Sequence, residues 1–135
     1  MANEAVIISL LGNGGDPIRY TVADGTGIPK GTLMYLSADP RTAAPSSAEG
    51  QFFCGIAAAE KVANDGQTEI AVYTNGIFDL KATTATITLG NYCKLGGANL
   101  IAAADEAGAQ DAAQLVGKCL ESVANDEVTA VRILI

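Results

Sequence analysis

Any reaction chemistry in this chain would have to run on carboxylates, Lys, Tyr and thiols, because none of its 135 residues is His. That removes the commonest general base, the Ser-His-Asp and Cys-His arrangements, and every His-containing metal site. Asp24-Gly25-Thr26-Gly27 has the outline of an aspartic-protease loop, but such loops carry Ser or Thr directly after the Asp and here Gly stands there, so the stretch reads as a Gly-rich turn. Gly12-Asn13-Gly14-Gly15 could cradle a phosphate, yet no Gly-Lys-Ser/Thr follows it, and Lys30-Gly31-Thr32 precedes a strand rather than a helix. The pairs Asn64-Asp65 and Asn125-Asp126 offer oxygen atoms to a hard cation, but neither sits in an Asp-x-Asp-x-Asp-Gly loop, and turn formation accounts for both. Cys54, Cys93 and Cys119 are an odd set without Cys-x-x-Cys spacing, each within an apolar run, which reads as buried free thiols in a protein made in reducing cytosol. No catalytic, cofactor-binding or metal site is expected, and the chain is not read as an enzyme.

Composition narrows the class further. The length suits one domain that buries roughly two thirds of its unfolded surface. Hydrophobic residues make up 49% of the chain but aromatics only 5%, with no Trp, so the core must be built from Ala, Val, Ile and Leu. Fifteen acidic residues against eight basic ones give a net charge of -7, which opposes phosphate neutralisation and argues against a nucleic-acid partner. The opening residues lack a basic segment, and the apolar run 5–11 is too short to span a bilayer, so no secretion signal or membrane partner is expected.

The elements that must carry the residues are strands. Period-two alternation or short apolar runs mark 6–11, 18–22, 32–37, 51–56, 68–74, 77–81, 86–89, 92–95, 114–120 and 128–135, each bounded by Gly, Pro, Asn, Asp or Ser. Asn64-Asp65-Gly66 signals a turn, Asn75-Gly76 a type I′ turn or a bulge, and Pro and Ser keep 39–47 irregular. Residues 102–113 are the best helix candidate by propensity, with a loop as the alternative. The pattern is all-β, with at most one or two short helices, in a compact barrel or sandwich. Tyr20, Tyr35, Tyr73 and Tyr92 each stand in a strand candidate among apolar residues, which suits core-edge packing; a stacking platform in a carbohydrate- or cell-surface-binding module is the alternative use.

The chain also repeats itself. Residues 60–68 and 121–129 share six identities at a separation of 61, and 30–36 pairs with 89–95 at a separation of 59. This predicts an internal duplication of about 30–80 and 89–135 within a domain spanning 28–135. Residues 1–27 have no counterpart, and read as an N-terminal arm or strand pair in which unshared function would sit.

The order of motifs Ile28-Pro29-Lys30-Gly31-Thr32-Leu33, Phe53-Cys54-Gly55-Ile56-Ala57, residues 70–80, Thr88-Leu89-Gly90-Asn91 and Val116-Gly117-Lys118, closed by an apolar strand, resembles the head decoration (cement) proteins of tailed bacteriophages, the lambda-type decoration protein and its relatives. The resemblance covers about 28–135 and implies a tulip-like β-barrel that forms homotrimers on the outside of the virion capsid. It implies that the major capsid protein is the partner, that no cofactor is used, and that the shell is stabilised against the pressure of the packaged genome. The N-terminal segment would contact the capsid, with Val6, Ile7, Ile8, Leu10 and Leu11 as apolar contacts and Ile18, Arg19 and Tyr20 on an added strand. The apolar character of this arm suits a segment already folded in part onto the domain.

Overall fold

The computed structural model describes residues 2–11, 17–104 and 113–134. They form eleven strands and no α-helix: β1 (Val6–Ser9), β2 (Ile18–Thr21), β3 (Leu33–Ala38), β4 (Thr42–Pro45), β5 (Phe53–Ala57), β6 (Glu69–Tyr73), β7 (Asn75–Ala82), β8 (Tyr92–Gly97), β9 (Leu100–Ala103), β10 (Leu115–Cys119) and β11 (Val128–Leu134). The all-β expectation holds. The 102–113 helix candidate falls mainly outside the described residues, and Ala102 and Ala103 belong to β9.

Two five-stranded barrels result. The first closes in the order β2-β4-β3-β5-β6; the second runs β7-β11-β10-β8-β9 and closes through a parallel β7–β9 pairing, with β1 added to β7. Their pairings correspond register for register. Leu33↔Ile56 and Met34↔Gly55 match Tyr92↔Lys118 and Cys93↔Gly117, and the bulge between Leu36 and Ala38 recurs between Leu95 and Gly97. Thr21↔Thr42 matches Lys81↔Leu100, and both pairs are parallel. Thus β2 is the counterpart of β7, and residues 18–21, read from sequence as unshared, are a wall of the first barrel.

Asn75-Gly76 is not a hairpin turn. β6 and β7 do not pair; one residue, Thr74, joins the last strand of one barrel to the first of the next. The expected strand 86–89 reduces to a single bridge, Ile87↔Val123. The stretch expected to be irregular contains β4, which forms a hairpin with β3.

Alternation in each strand sends one set of side chains inward and the other outward. Met34, Cys54, Ile70 and Val72 fill the first barrel. Phe78, Leu80, Cys93, Leu95, Val116, Val131 and Ile133 belong to the core of the second, and the outward residues Leu33, Phe53, Ile56 and Tyr73 of the first barrel join that same core. Tyr73 meets Phe78 with ring centroids 5.7 Å apart. The barrels are therefore one packed body rather than two modules on a tether. All three cysteines are buried and free.

Candidate functional site

The residues expected to contact a partner lie in two places. Val6, Ile7 and Ile8 are on β1, with 59, 36 and 50% of their surface exposed. Leu10 and Leu11 follow, half-buried, and Leu10 packs on the core of the second barrel. Ile18, Arg19 and Tyr20 are on β2 in the first barrel, where Ile18 and Tyr20 line a groove of about 570 Å³ with Leu36, Ser37, Ala38, Asp39 and Arg41. The structure does not merge these two sets into one arm.

β1 has a built seat. It runs antiparallel to β7 with Val6 opposite Asp79, Ile7 opposite Phe78 and Ser9 opposite Ile77. Two glycines make room for it: a Cβ on Gly31 would lie 2.6 Å from Ala5 O, and one on Gly76 would lie 2.8 Å from Ser9 O. The Ala5 amide donates to Gly31 O at 2.6 Å, which ties the segment to the first barrel as well. Ala82 N donates to Glu127 O, so the even residues of β7 bond to β11 and the odd ones face β1. Val6 therefore bonds to Asp79, and the amide and carbonyl of Ile7 turn to the outer edge. Beside that edge is a crevice of about 280 Å³ lined by Ala5, Val6, Ile7, Lys30, Gly31, Ile56, Ala57 and Tyr73.

Asn99, at the tip of the β8–β9 hairpin and fully buried, locks this corner, and the sequence reading missed it. Its Oδ1 accepts from Leu33 N, its amide donates to Ser46 Oγ, and its Nδ2 donates to Ala2 O, all at 2.9 Å. One side chain thus ties together both barrels and the N-terminal segment. Its left-handed φ of 56° is a conformation Asn tolerates. Gly-Gly-Ala-Asn ahead of an apolar run was the available signal, but it spoke only of a turn.

At the β2 groove the Arg41 guanidinium donates to Arg19 O at 2.6 Å and lies 5.8 Å from the Tyr20 ring centroid. Burial pushes the Tyr20 hydroxyl above its ordinary pKa, with Cys54 adding and Arg41 opposing. β2 meets β4 only at Thr21↔Thr42, and beyond that pair Arg41 caps the Arg19 carbonyl. The opposite turn is held by Lys61, whose fully buried ammonium donates to Asp24 O (2.7 Å), Asp24 Oδ1 (3.3 Å), Val62 O (3.1 Å) and Asp65 Oδ1 (3.2 Å). Asp65 is held below the usual carboxylate range, first by the Gln67 amide and then by Lys61. Of the residues that sequence offered to a hard cation, Asp65 thus serves an internal ammonium, and Asn125 accepts from Thr84 N through its Oδ1 at 2.9 Å.

Burial pushes the Cys54 thiol up to about 12, and Cys93 is raised by its hydrogen bond with Cys119 and by burial. Among the described residues no group of three His, Cys, Asp or Glu is suited to a metal, and no helix is long and apolar enough to cross a membrane. The geometry presents surfaces and edges for binding.

Comparison with known proteins agrees with a binding scaffold. Residues 12–135 match the phage cement protein family, so β1 precedes the matched stretch. The fold is similar to the N base of the head fiber gp8.5 in bacteriophage phi29, with a TM-score of 0.55 over 87% of this chain and 92% of that one. The two are 13% identical, which speaks for the fold alone. No curated protein sequence matches.

Proposed function

The chain belongs to the phage cement protein family, a bacteriophage capsid-associated structural group, and from that premise we propose that it binds the outer surface of the mature head and stabilises the shell against internal genome pressure. Family membership over residues 12–135 carries the reading. The partner is the major capsid protein, and the contact runs through β1. An edge strand with an outward-facing Ile7 backbone and exposed Val6 and Ile8 suits β-augmentation, in which main-chain hydrogen bonds supply affinity and a neighbouring crevice takes a side chain. Ile18, Arg19 and Tyr20 would make a second, side-chain contact, because β2 is paired with β6 and β4 and Arg41 occupies the Arg19 carbonyl. The working unit is a homotrimer, whose several weak contacts combine into durable occupancy.

The test is binding of purified protein to expanded shells and to unexpanded procapsids. Saturable binding to expanded shells, with a higher disruption temperature, is expected; Val6→Asp with Ile8→Asp should weaken it. Absence of binding to any shell would overturn the proposal.

A further inference from the structure

The second barrel holds a pair of thiols that packing alone does not call for. Cys93 stands opposite Gly117 on β10, and Cys119 is two residues further along on the same face. Gly117 must stay without a side chain, because a Cβ there would collide with the Arg132 carbonyl. Cys93 thus faces an opposite position with no side chain of its own, and its S–H donates to the Cys119 sulfur. That bond raises the Cys93 thiol, with burial adding, and lowers the Cys119 thiol, with burial opposing. Both side chains are fully buried in the core of the second barrel. The first barrel shows what the same places hold when they need only be filled. There Gly31 N donates to Ala57 O and Ala57 N to Thr32 O, as Gly90 N donates to Cys119 O and Cys119 N to Asn91 O. Ala57 is therefore the counterpart of Cys119, and Met34, opposite Gly55, is the counterpart of Cys93. Met34 and Ala57 are buried as completely as the two thiols. Cys54 lies in the core of the first barrel, which contains no other cysteine.

We propose that Cys93 and Cys119 are a disulfide site, closed by hydrogen peroxide after the chain has folded with both thiols reduced. Peroxide is close to water in size, so a brief local opening of β10 admits it. The Cys119 sulfur, as thiolate, attacks one peroxide oxygen; the O–O bond breaks, a sulfenic acid forms, and the departing hydroxide takes up the proton that Cys119 gave and leaves as water. The Cys93 sulfur then attacks the Cys119 sulfur, the S–O bond breaks, and a second water leaves with the Cys93 proton. Two thiols have lost two electrons and two protons to one peroxide, which has become two waters. Diagonal neighbours on paired strands stand at the upper end of the reach of a disulfide, so closure draws β8 and β10 together at this point and leaves a bond that is readily reduced. The product is a reversible tie between two strands of the second barrel.

This inference goes beyond shell binding and is tested on the purified chain alone. Folded protein treated with hydrogen peroxide should show an intact mass lower by two hydrogens. Alkylation after unfolding should then label Cys54 alone, and proteolysis should yield a cross-link between the peptides that carry Cys93 and Cys119. A mild thiol reductant, added once the peroxide is removed, should undo the link. The oxidised chain should melt roughly 5–10 °C above the reduced one. Cys119→Ala, which repeats at this place what the first barrel carries at its own, should fold, form no link and show no peroxide-dependent shift in melting. Three thiols still open to alkylation after treatment, a link that includes Cys54, or sulfinic acid at Cys119 in place of the link would overturn the assignment. So would an oxidised chain that melts no higher than the reduced one.

Discussion

Replacing Lys61 with Met asks how much one internal cation contributes to this fold. The methionine fills the same channel but leaves four oxygens without their donor: the carbonyls of Asp24 and Val62, and the carboxylates of Asp24 and Asp65. The carboxylate side chains are 42% and 26% exposed, so water recovers much of their loss. Each carbonyl forfeits a charge-assisted hydrogen bond worth about 1.5–3 kcal/mol. Lost attraction to two partly hydrated carboxylates adds little, and burial of the methionine gives back about 1 kcal/mol. The net destabilisation is about 3 kcal/mol, at the low end for breaking a buried ion pair. For a chain of this size it corresponds to a fall in Tm of about 10 °C. Urea unfolding followed by far-UV circular dichroism is the suitable assay, since the chain has no Trp to report by fluorescence. Lys94→Met is the control, because that ion pair reaches a carboxylate whose side chain is 65% exposed, and it should cost less than about 1 kcal/mol. If Lys61→Met were no worse than Lys94→Met, the argument that the turn is built around this ammonium would fail.

Other outcomes follow from the same geometry. Gly31→Ala should drive the N-terminal segment off its seat, since the new Cβ meets Ala5 O at a φ of 91°; hydrogen exchange at Val6 to Ser9 should accelerate, and unchanged protection would contradict the seat. Cys54, pushed up to about 12 by burial, should resist a thiol reagent at mildly alkaline pH in the native protein and react on unfolding; rapid native-state labelling would refute its burial. The lowered pKa of Asp65 stabilises the fold at pH above the unfolded carboxylate value of about 4, and that contribution is lost as pH falls through the lower folded value. Urea midpoints should therefore drop on acidification, and Asp65→Asn should flatten part of that slope; an unaltered slope would count against the assignment.

The strands of strong alternation were legible in sequence because their partners impose nothing their own pattern does not already say. β7 is the clearest case, its residues alternating between half-buried and buried along all eight positions. β9 was hidden because Leu-Ile-Ala-Ala favours helix locally, and only pairing with β8 and β7 decides otherwise. β4 was hidden because Thr-Ala-Ala-Pro carries little strand propensity of its own. The 59-residue separation of 30–36 from 89–95 is the true offset of β3 from β8. The nine-residue phrase is not in structural register: Lys61 and Val123, like the left-handed Asn64 and Asp126, correspond at 62, and the offset returns to 59 at Glu69 and Val128 because the first turn is longer. β2 and β7 share alternation without identity, so their equivalence was invisible. Of the site, Val6, Ile7 and Ile8 were readable as part of an apolar strand; the role of Asn99 was not, because its partners Ala2, Leu33 and Ser46 lie far from it in the chain.

The single residue Thr74 between β6 and β7 limits how this chain can be cut or fused. Severing there would strip Leu33, Ile56 and Tyr73 of their cover, and either half would present to water a surface meant for its sister. A cargo for display, or a shortened variant, must therefore respect the pair as the smallest piece whose core stays covered.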